Sequence, residues 1–366
     1  MSAAPEAAAA SAGRALDGYV SAPVREGAAD HAARFAAAKP FRHVVIDGFF
    51  DADFCARLVD EFPAFDEKRA MNENGQVGAK AVFEKIRSIG PAYRELDALV
   101  QGEAFLGLVS RITGIPGLQH DPYYFGGGTH ENRQGQGLDA HVDFNYHPVT
   151  RQHRRLNLIV YLNPEWEDAW GGSLQLHRDP YLPPSEDDIT VVTPLMNRCV
   201  IFETNEISWH GFPTIRLPEG KRDLSRRSFA LYYYTDSRPA DELAPEHSTI
   251  YVEEHLPEDL EPGMTLDAEL LEHIHLLVAR RDQHLRRLYG NIKQLYTEIH
   301  ALRDRPPTAS SPRDAGPGDE APTPEEIEQL QALVRHLRQR VSDLEHSTSW
   351  RVTAPLRRLK TWLTRG

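Results

Sequence analysis

The sequence predicts a mostly β fold, a jelly-roll barrel with packed helices, followed by an α-helical coiled-coil C-terminal region. Three observations predict it. Between residues 39 and 236 the chain offers many short β-branched and aromatic runs, among them FRHVVIDGFF, LNLIVYLN, CVIFETNEISW and SRRSFALYYYT, which is strand composition. Helical stretches in that span are few and do not alternate with the strands, so a βαβ rhythm and a parallel sheet are not expected. From Leu271 onward the apolar residues change to a 3-4 spacing, the period of a helical seam.

Taken in order, residues 1–38 are rich in Ala and small polar residues and read as a mobile arm with a short helix around DHAARFAAA. Residues 39–62 read as a strand and then a helix carrying Phe54, Leu58, Val59 and Phe62, with Asp53 placed to cap it. Residues 92–114 read as a second helical region that should back the sheet. PYYFGGGTH holds Gly126, Gly127 and Gly128 but lacks the Lys-Ser/Thr of a phosphate loop, so a turn or bulge is expected there. The net charge of −13 argues against a general nucleic-acid binder. Cys55 and Cys199 lie far apart in apolar surroundings, which reads as buried free thiols in a reducing cytoplasm. The sequence has no 18-residue apolar run, and its first residues, MSAAPEAAAASAG, lack the basic start of a signal peptide.

The chemistry concentrates in LDAHVDFN and SWHGFP. His141 and Asp143 are separated by one residue, so on a strand they share a face. One imidazole and one carboxylate supply two legs of a metal site. His210, at the exit of the next buried apolar run, is the best candidate for the third. Two His and one carboxylate on one side of a metal leave the opposite positions open, as in the facial triad of non-haem Fe(II) sites. Downstream, Arg226 and Ser228 share one strand face while Arg227 and Phe229 take the other. A buried guanidinium can grip a carboxylate with two hydrogen bonds, and a neighbouring hydroxyl can add a third. Asn157 shares a strand face with Ile159 and Tyr161; if buried it needs a partner, either a small-molecule ligand or a structural hydrogen bond.

The order HxD, then Gly171 and Gly172, then His210, then Arg-x-Ser at 226–228 resembles the Fe(II)/2-oxoglutarate-dependent dioxygenases. FRHVVIDGFFDADFCARLVDEFP at the front looks most like the opening strand and helix of the prolyl-4-hydroxylase-like branch. The likeness spans roughly residues 39–236. One departure is the sixteen-position gap between His210 and Arg226, longer than usual; RLPEGKRDLS within it reads as a surface loop that keeps the strand register. The resemblance implies a double-stranded β-helix in which His141, Asp143 and His210 hold Fe(II). It implies that 2-oxoglutarate chelates the metal and meets Arg226 and Ser228 with its far carboxylate, with Asn157 and Tyr124 near it and His130 toward the substrate. It further implies O₂ as oxidant, ascorbate as a supporting reductant, and hydroxylation with release of succinate and CO₂. Retention of Asp143 fits hydroxylation, since related halogenases leave that ligand position to halide. The substrate stays open between a protein side chain such as proline and a sugar, lipid or nucleotide-sugar. Two rivals are a non-catalytic scaffold and a hydrolytic zinc enzyme with the same three ligands.

Past the barrel, assigned to residues 39–240, a connector and coiled-coil helix occupy 241–303. The seam runs Leu271, Ile274, Val278, Arg281, Leu285, Leu288, Ile292, Leu295, Ile299 and Leu302; the competing reading is an amphipathic helix laid on the barrel. Residues 304–324 are rich in Pro, Gly and Ser and read as a disordered linker. Thr323, Pro324 and Glu326 then open a second coiled-coil segment at 325–346. The basic tail at 347–366, with SWRVTAPLRR, resembles tails of bacterial glycosyltransferases of cell-surface polysaccharide synthesis. The expected partners are a second copy of the chain, polysaccharide-synthesis enzymes and an anionic membrane surface, with the protein cytoplasmic or peripheral at the inner face.

Overall fold

The computed structural model describes residues 15–65, 81–252, 256–257 and 260–303. The two longest β-branched and aromatic runs form its two longest strands, β6 (His153–Tyr161) and β11 (Arg226–Thr235), which pair antiparallel in the middle of the larger sheet. That sheet also contains β1 (His43–Ile46), β2 (Ala81–Phe83), β3 (Gln119–His120), β4 (Gly128–Asn132) and β9 (Cys199–Glu203). Its order is β1-β9-β6-β11-β4-β2, with β3 also on β11. The smaller sheet contains β5 (Leu138–Val142), β7 (Leu174–His177), β8 (Ile189–Val192), β10 (Trp209–Phe212) and β12 (Ile250–Val252), ordered β12-β5-β10-β7-β8. Every described pairing is antiparallel, and the chain passes repeatedly from one sheet to the other. This is the expected jelly roll.

Alternation along the central strands divides the molecule into layers. Leu156, Leu158 and Val160 of β6 and Phe229, Leu231 and Tyr233 of β11 join one apolar core with the helices. Those helices are α1 (Ala22–Glu26), α2 (Ala28–Ala37), α3 (Ala52–Asp60), α4 (Pro91–Val100) and α5 (Glu103–Thr113). The alternate residues of the same strands, Asn157, Ile159, Ser228 and Tyr232, line a cavity with residues of the smaller sheet. Cys55 and Cys199 are free and buried, and burial pushes the Cys55 thiol up to about 11.

Several expectations need correction. The segment from Ala15 onward is not a mobile arm. Leu16, Val20, Val24 and Phe35 are buried in the helix-side core, and the Tyr19 ring meets Phe54 edge-on at 5.0 Å. The widely spaced apolar side chains of this Ala-rich stretch suffice to cover Phe49, Phe50 and Phe54. Asp51, not Asp53, caps α3: its carboxylate accepts from the Asp53 backbone N–H at 3.1 Å. The first compact unit also runs past residue 240, to Leu288; the second covers Tyr289–Gly366. The first therefore includes β12 and the front of α6 (Ala268–Arg303). Along that front the half-buried residues include Leu270, His273, Arg280, His284 and Arg287 together with Ile274 and Arg281 of the expected seam, and Leu277 is 2% exposed. Leu271, Val278, Leu285 and Leu288 of the expected seam are exposed. In the second unit, Leu295 and Ile299 are exposed too. The linker at 304–324, the coiled-coil segment at 325–346 and the basic tail at 347–366 lie outside the described residues. No helix among the described residues is long and apolar enough to cross a membrane.

Candidate metal centre

β5 and β10 bring the two histidines together, because their antiparallel register sets His210 opposite His141. The ring centroids are 4.2 Å apart. Asp143 follows β5 directly, and its carboxylate lies 3.7 Å from His141 Nε2 and 3.5 Å from His210 Nε2. Among the described residues these three form the one cluster able to hold a metal, with one ligand atom from each lying within 4.8 Å of the others. Each imidazole is oriented by the backbone two residues before it: Nδ1 of His141 lies 2.9 Å from the Asp139 carbonyl, and Nδ1 of His210 lies 2.9 Å from that of Ser208. A carbonyl only accepts, so Nδ1 carries a proton in both rings and Nε2 is the atom turned toward Asp143.

Asp143 is held from behind. Arg154, fully buried, reaches its Oδ2 at 3.0 Å. Asn157 donates to the same oxygen at 2.8 Å and accepts from Arg154 through Oδ1 at 2.8 and 3.2 Å. The Arg154 guanidinium lies 3.7 Å from the centre of the Tyr232 ring and 4.5 Å from that of Phe144. Burial pushes the Asp143 carboxyl upward, but Arg154, then His210 and His141, outweigh it and hold it well below the usual carboxylate range. The carboxylate is thus ionised and oriented, as a hard cation requires.

On the opposite wall, Arg226 is buried on β11. Its Nε donates to the Gly172 carbonyl at 2.6 Å and its Nη2 to the Tyr161 hydroxyl at 3.3 Å. Gly172 has φ +72°, and a Cβ there would come within 3.3 Å of the Arg226 side chain, so glycine is needed for this approach. No carboxylate among the described residues pairs with Arg226, and burial lowers its pKa. Ser228 lines the same cavity, as do His130, Asn132, Ile159, Leu174 and Phe212. The Asn132 side-chain oxygen is buried with no hydrogen-bond partner among the described residues.

The expected site residues therefore fall into three groups. His141, Asp143, His210, Arg226 and Ser228 surround one cavity, with His130 on its wall. Asn157 also lines it, but its amide is engaged between Asp143 and Arg154, so the structural hydrogen bond takes up the group expected near the cosubstrate. Tyr124 does not join them. It has φ +53°, and its hydroxyl donates to Asp97 of α4 at 2.9 Å within the helix-side core. Arg154, Asn132 and Tyr161 were not singled out as site residues. Arg154 sits three residues before Asn157, and the available signal is the adjacent pair Arg154 and Arg155 opening an apolar strand.

Residues 127–234 match the family model described as the 2OG-Fe(II) oxygenase superfamily. The matched stretch contains His141, Asp143, His210, Arg226 and Ser228. No curated protein matches the chain. Similar solved structures include a prolyl 4-hydroxylase from Phytophthora capsici at 21% identity and TM-score 0.37, covering 61% of this chain and 65% of that one. The chain thus spans less than two thirds of that protein. A Pseudomonas putida prolyl-4-hydroxylase is 18% identical at TM-score 0.36, over 57% of this chain and 99% of that one. HygX from Streptomyces hygroscopicus, solved with nickel and 2-oxoglutarate bound, is 14% identical at TM-score 0.36, over 56% and 91%. Members of the superfamily use Fe(II), 2-oxoglutarate and O₂. The residues present fit these groups: two imidazoles and one ionised carboxylate suit Fe(II), and a buried, carboxylate-free guanidinium beside a serine hydroxyl suits a carboxylate.

Proposed function

We propose that this chain is an Fe(II)- and 2-oxoglutarate-dependent hydroxylase. The observation that carries the reading is the placement of the His141–Asp143–His210 cluster and the carboxylate-free Arg226 around one cavity. Burying a cation without a counter-charge is costly, and an anionic cosubstrate relieves that cost when bound. When bound, iron and cosubstrate supply O₂ activation coupled to oxidative decarboxylation of 2-oxoglutarate. The protein's part is positional. His141 and His210 present Nε2, Arg154 and Asn157 fix the Asp143 carboxylate, Arg226 and Ser228 orient an anion, and Ile159, Leu174 and Phe212 exclude water. A hydrolytic zinc site would need no such Arg–Ser pair. The resemblance of residues 39–62 to the prolyl-4-hydroxylase-like branch supports a prolyl or other protein side chain as substrate, whereas the tail sequence supports a sugar or lipid.

The test is anaerobic titration of Fe(II)-loaded protein with 2-oxoglutarate, followed by the visible charge-transfer band, with succinate measured once air is admitted. Arg226→Ala should raise the 2-oxoglutarate requirement by the equivalent of about 2–5 kcal/mol, because the buried partner of a charge-assisted pair is lost. Arg227→Ala, on the opposite strand face against Glu131, should leave it near wild type. Equal effects from the two variants, or no band in the wild-type protein, would overturn the assignment.

A further inference from the structure

The strand that carries His141 has neighbours on both sides: β10, which supplies His210, and β12, which lies beyond the superfamily-matching residues. The register sets Tyr251 of β12 opposite His141, just as it sets His210 opposite it from the other side. Tyr251, His141 and His210 therefore form one row across the sheet. The Tyr251 ring stacks on the His141 ring at 5.1 Å with the planes 25° apart. His284 of α6 also stacks on Tyr251, at 4.8 Å and 27°, and the Arg287 guanidinium lies 4.4 Å from the centre of that ring.

The same helix reaches the other group that orients His141. The Asp139 carbonyl accepts from His141 Nδ1, and the Asp139 side chain, 6% exposed, meets Arg280 at 3.2 Å and His284 at 3.7 Å. Arg280 also donates to the Thr214 hydroxyl at 3.2 Å. One helix face thus holds both the ring packed on His141 and the residue whose backbone fixes its tautomer.

We propose that β12 and the front of α6 form a clamp on the metal centre, in which Tyr251, held by His284 and Arg287, and Asp139, held by Arg280, position His141. The proposal rests on His141, Asp143 and His210 being the metal ligands. Its physical basis is the edge. Without β12, β5 would be an open edge strand, and a one-residue slip would turn His141 to the opposite face. Ring stacking and a fixed Asp139 restrict the imidazole to the rotamer in which Nε2 faces Asp143, so the ordering cost is met before a metal arrives.

The experiment uses the full chain and measures Co(II) affinity by chelator competition, together with hydrogen exchange at the amides of residues 138–142. Tyr251→Ala and His284→Ala should each weaken Co(II) about tenfold, the usual scale for groups supporting a ligand, and should speed exchange in β5 with circular dichroism unchanged. Tyr251→Phe, which keeps the ring, should stay within about twofold of wild type. Tyr289→Ala, at an exposed position, should change nothing. If Tyr251→Ala does not fold, His284→Ala and Arg280→Ala on the half-buried helix face decide the matter. Wild-type Co(II) affinity and β5 protection in the folded clamp variants, with binding abolished by Asp143→Ala, would overturn the clamp alone. Retained binding in Asp143→Ala would overturn the ligand assignment and the clamp with it.

Discussion

Asp143 lies between the cation site and a permanent cation. Arg154 and Asn157 satisfy one carboxylate oxygen from the barrel wall, so the group stays charged when no metal is present. Removing one partner of a buried ion pair leaves the other unpaired and costs about 3–5 kcal/mol. Arg154→Met should therefore lower the stability of metal-free protein by about that amount, read as a shift in the urea midpoint. Excess Co(II) should restore part of the loss, because a bound cation replaces the missing charge beside Asp143. A shift equivalent to less than about 1 kcal/mol, within the range of exposed pairs, would mean that Arg154 does not hold the carboxylate.

At the scale of elements, α6 has two neighbouring stripes with different fates. Leu270, His273, Leu277, Arg280, His284 and Arg287 form the less exposed stripe, whose polar members grip Asp139 and Tyr251. Leu271, Val278, Leu285 and Leu288 form the exposed one, with the heptad spacing of a coiled-coil seam whose Ile274 and Arg281 are half-buried at the border of the two. The two readings of the helix at the sequence level, laid on the barrel or paired with another helix, thus concern adjoining faces of it that meet at Ile274 and Arg281. We propose that a second copy of the chain pairs along the exposed stripe. Val278→Glu combined with Leu285→Glu should then reduce the sedimentation coefficient to that of a monomer and leave Co(II) affinity unchanged. A wild-type chain that sediments as a monomer at tens of micromolar would refute the pairing.

For the molecule as a whole, the folding unit outlasts the barrel motifs. The first compact unit ends at Leu288 rather than near residue 240, because β12 closes the edge of β5 and Leu277 is buried. A chain ending at Leu288 should unfold in one cooperative transition and bind Co(II) like the full chain. A chain ending at Pro239 exposes β5 as an edge. It should bind Co(II) at least about tenfold more weakly and associate through that strand. Equal affinities in the two truncated chains would place the unit boundary at the barrel after all.

What was legible in the sequence is what local periodicity encodes. The alternation of β11 separates Arg226 and Ser228 from Arg227 and Phe229, and the one-residue spacing of His141 and Asp143 survives in the cluster, because strand geometry fixes side-chain faces over two or three residues. The short strands without helical crossovers also pointed to an antiparallel fold, and the resemblance implied its jelly-roll form. Tertiary structure decided everything that depends on which distant segment closes against which. Tyr124 turned to Asp97 rather than to the cavity because of the turn it occupies. Residues from Leu16 to Phe35 joined the core because Phe49, Phe50 and Phe54 offered an apolar surface to cover. The pairing of Tyr251 with His141 joins residues more than a hundred positions apart. Periodicity names a face, whereas the partner of that face is chosen by the free energy of burying it, which belongs to the folded chain and not to any window of the sequence.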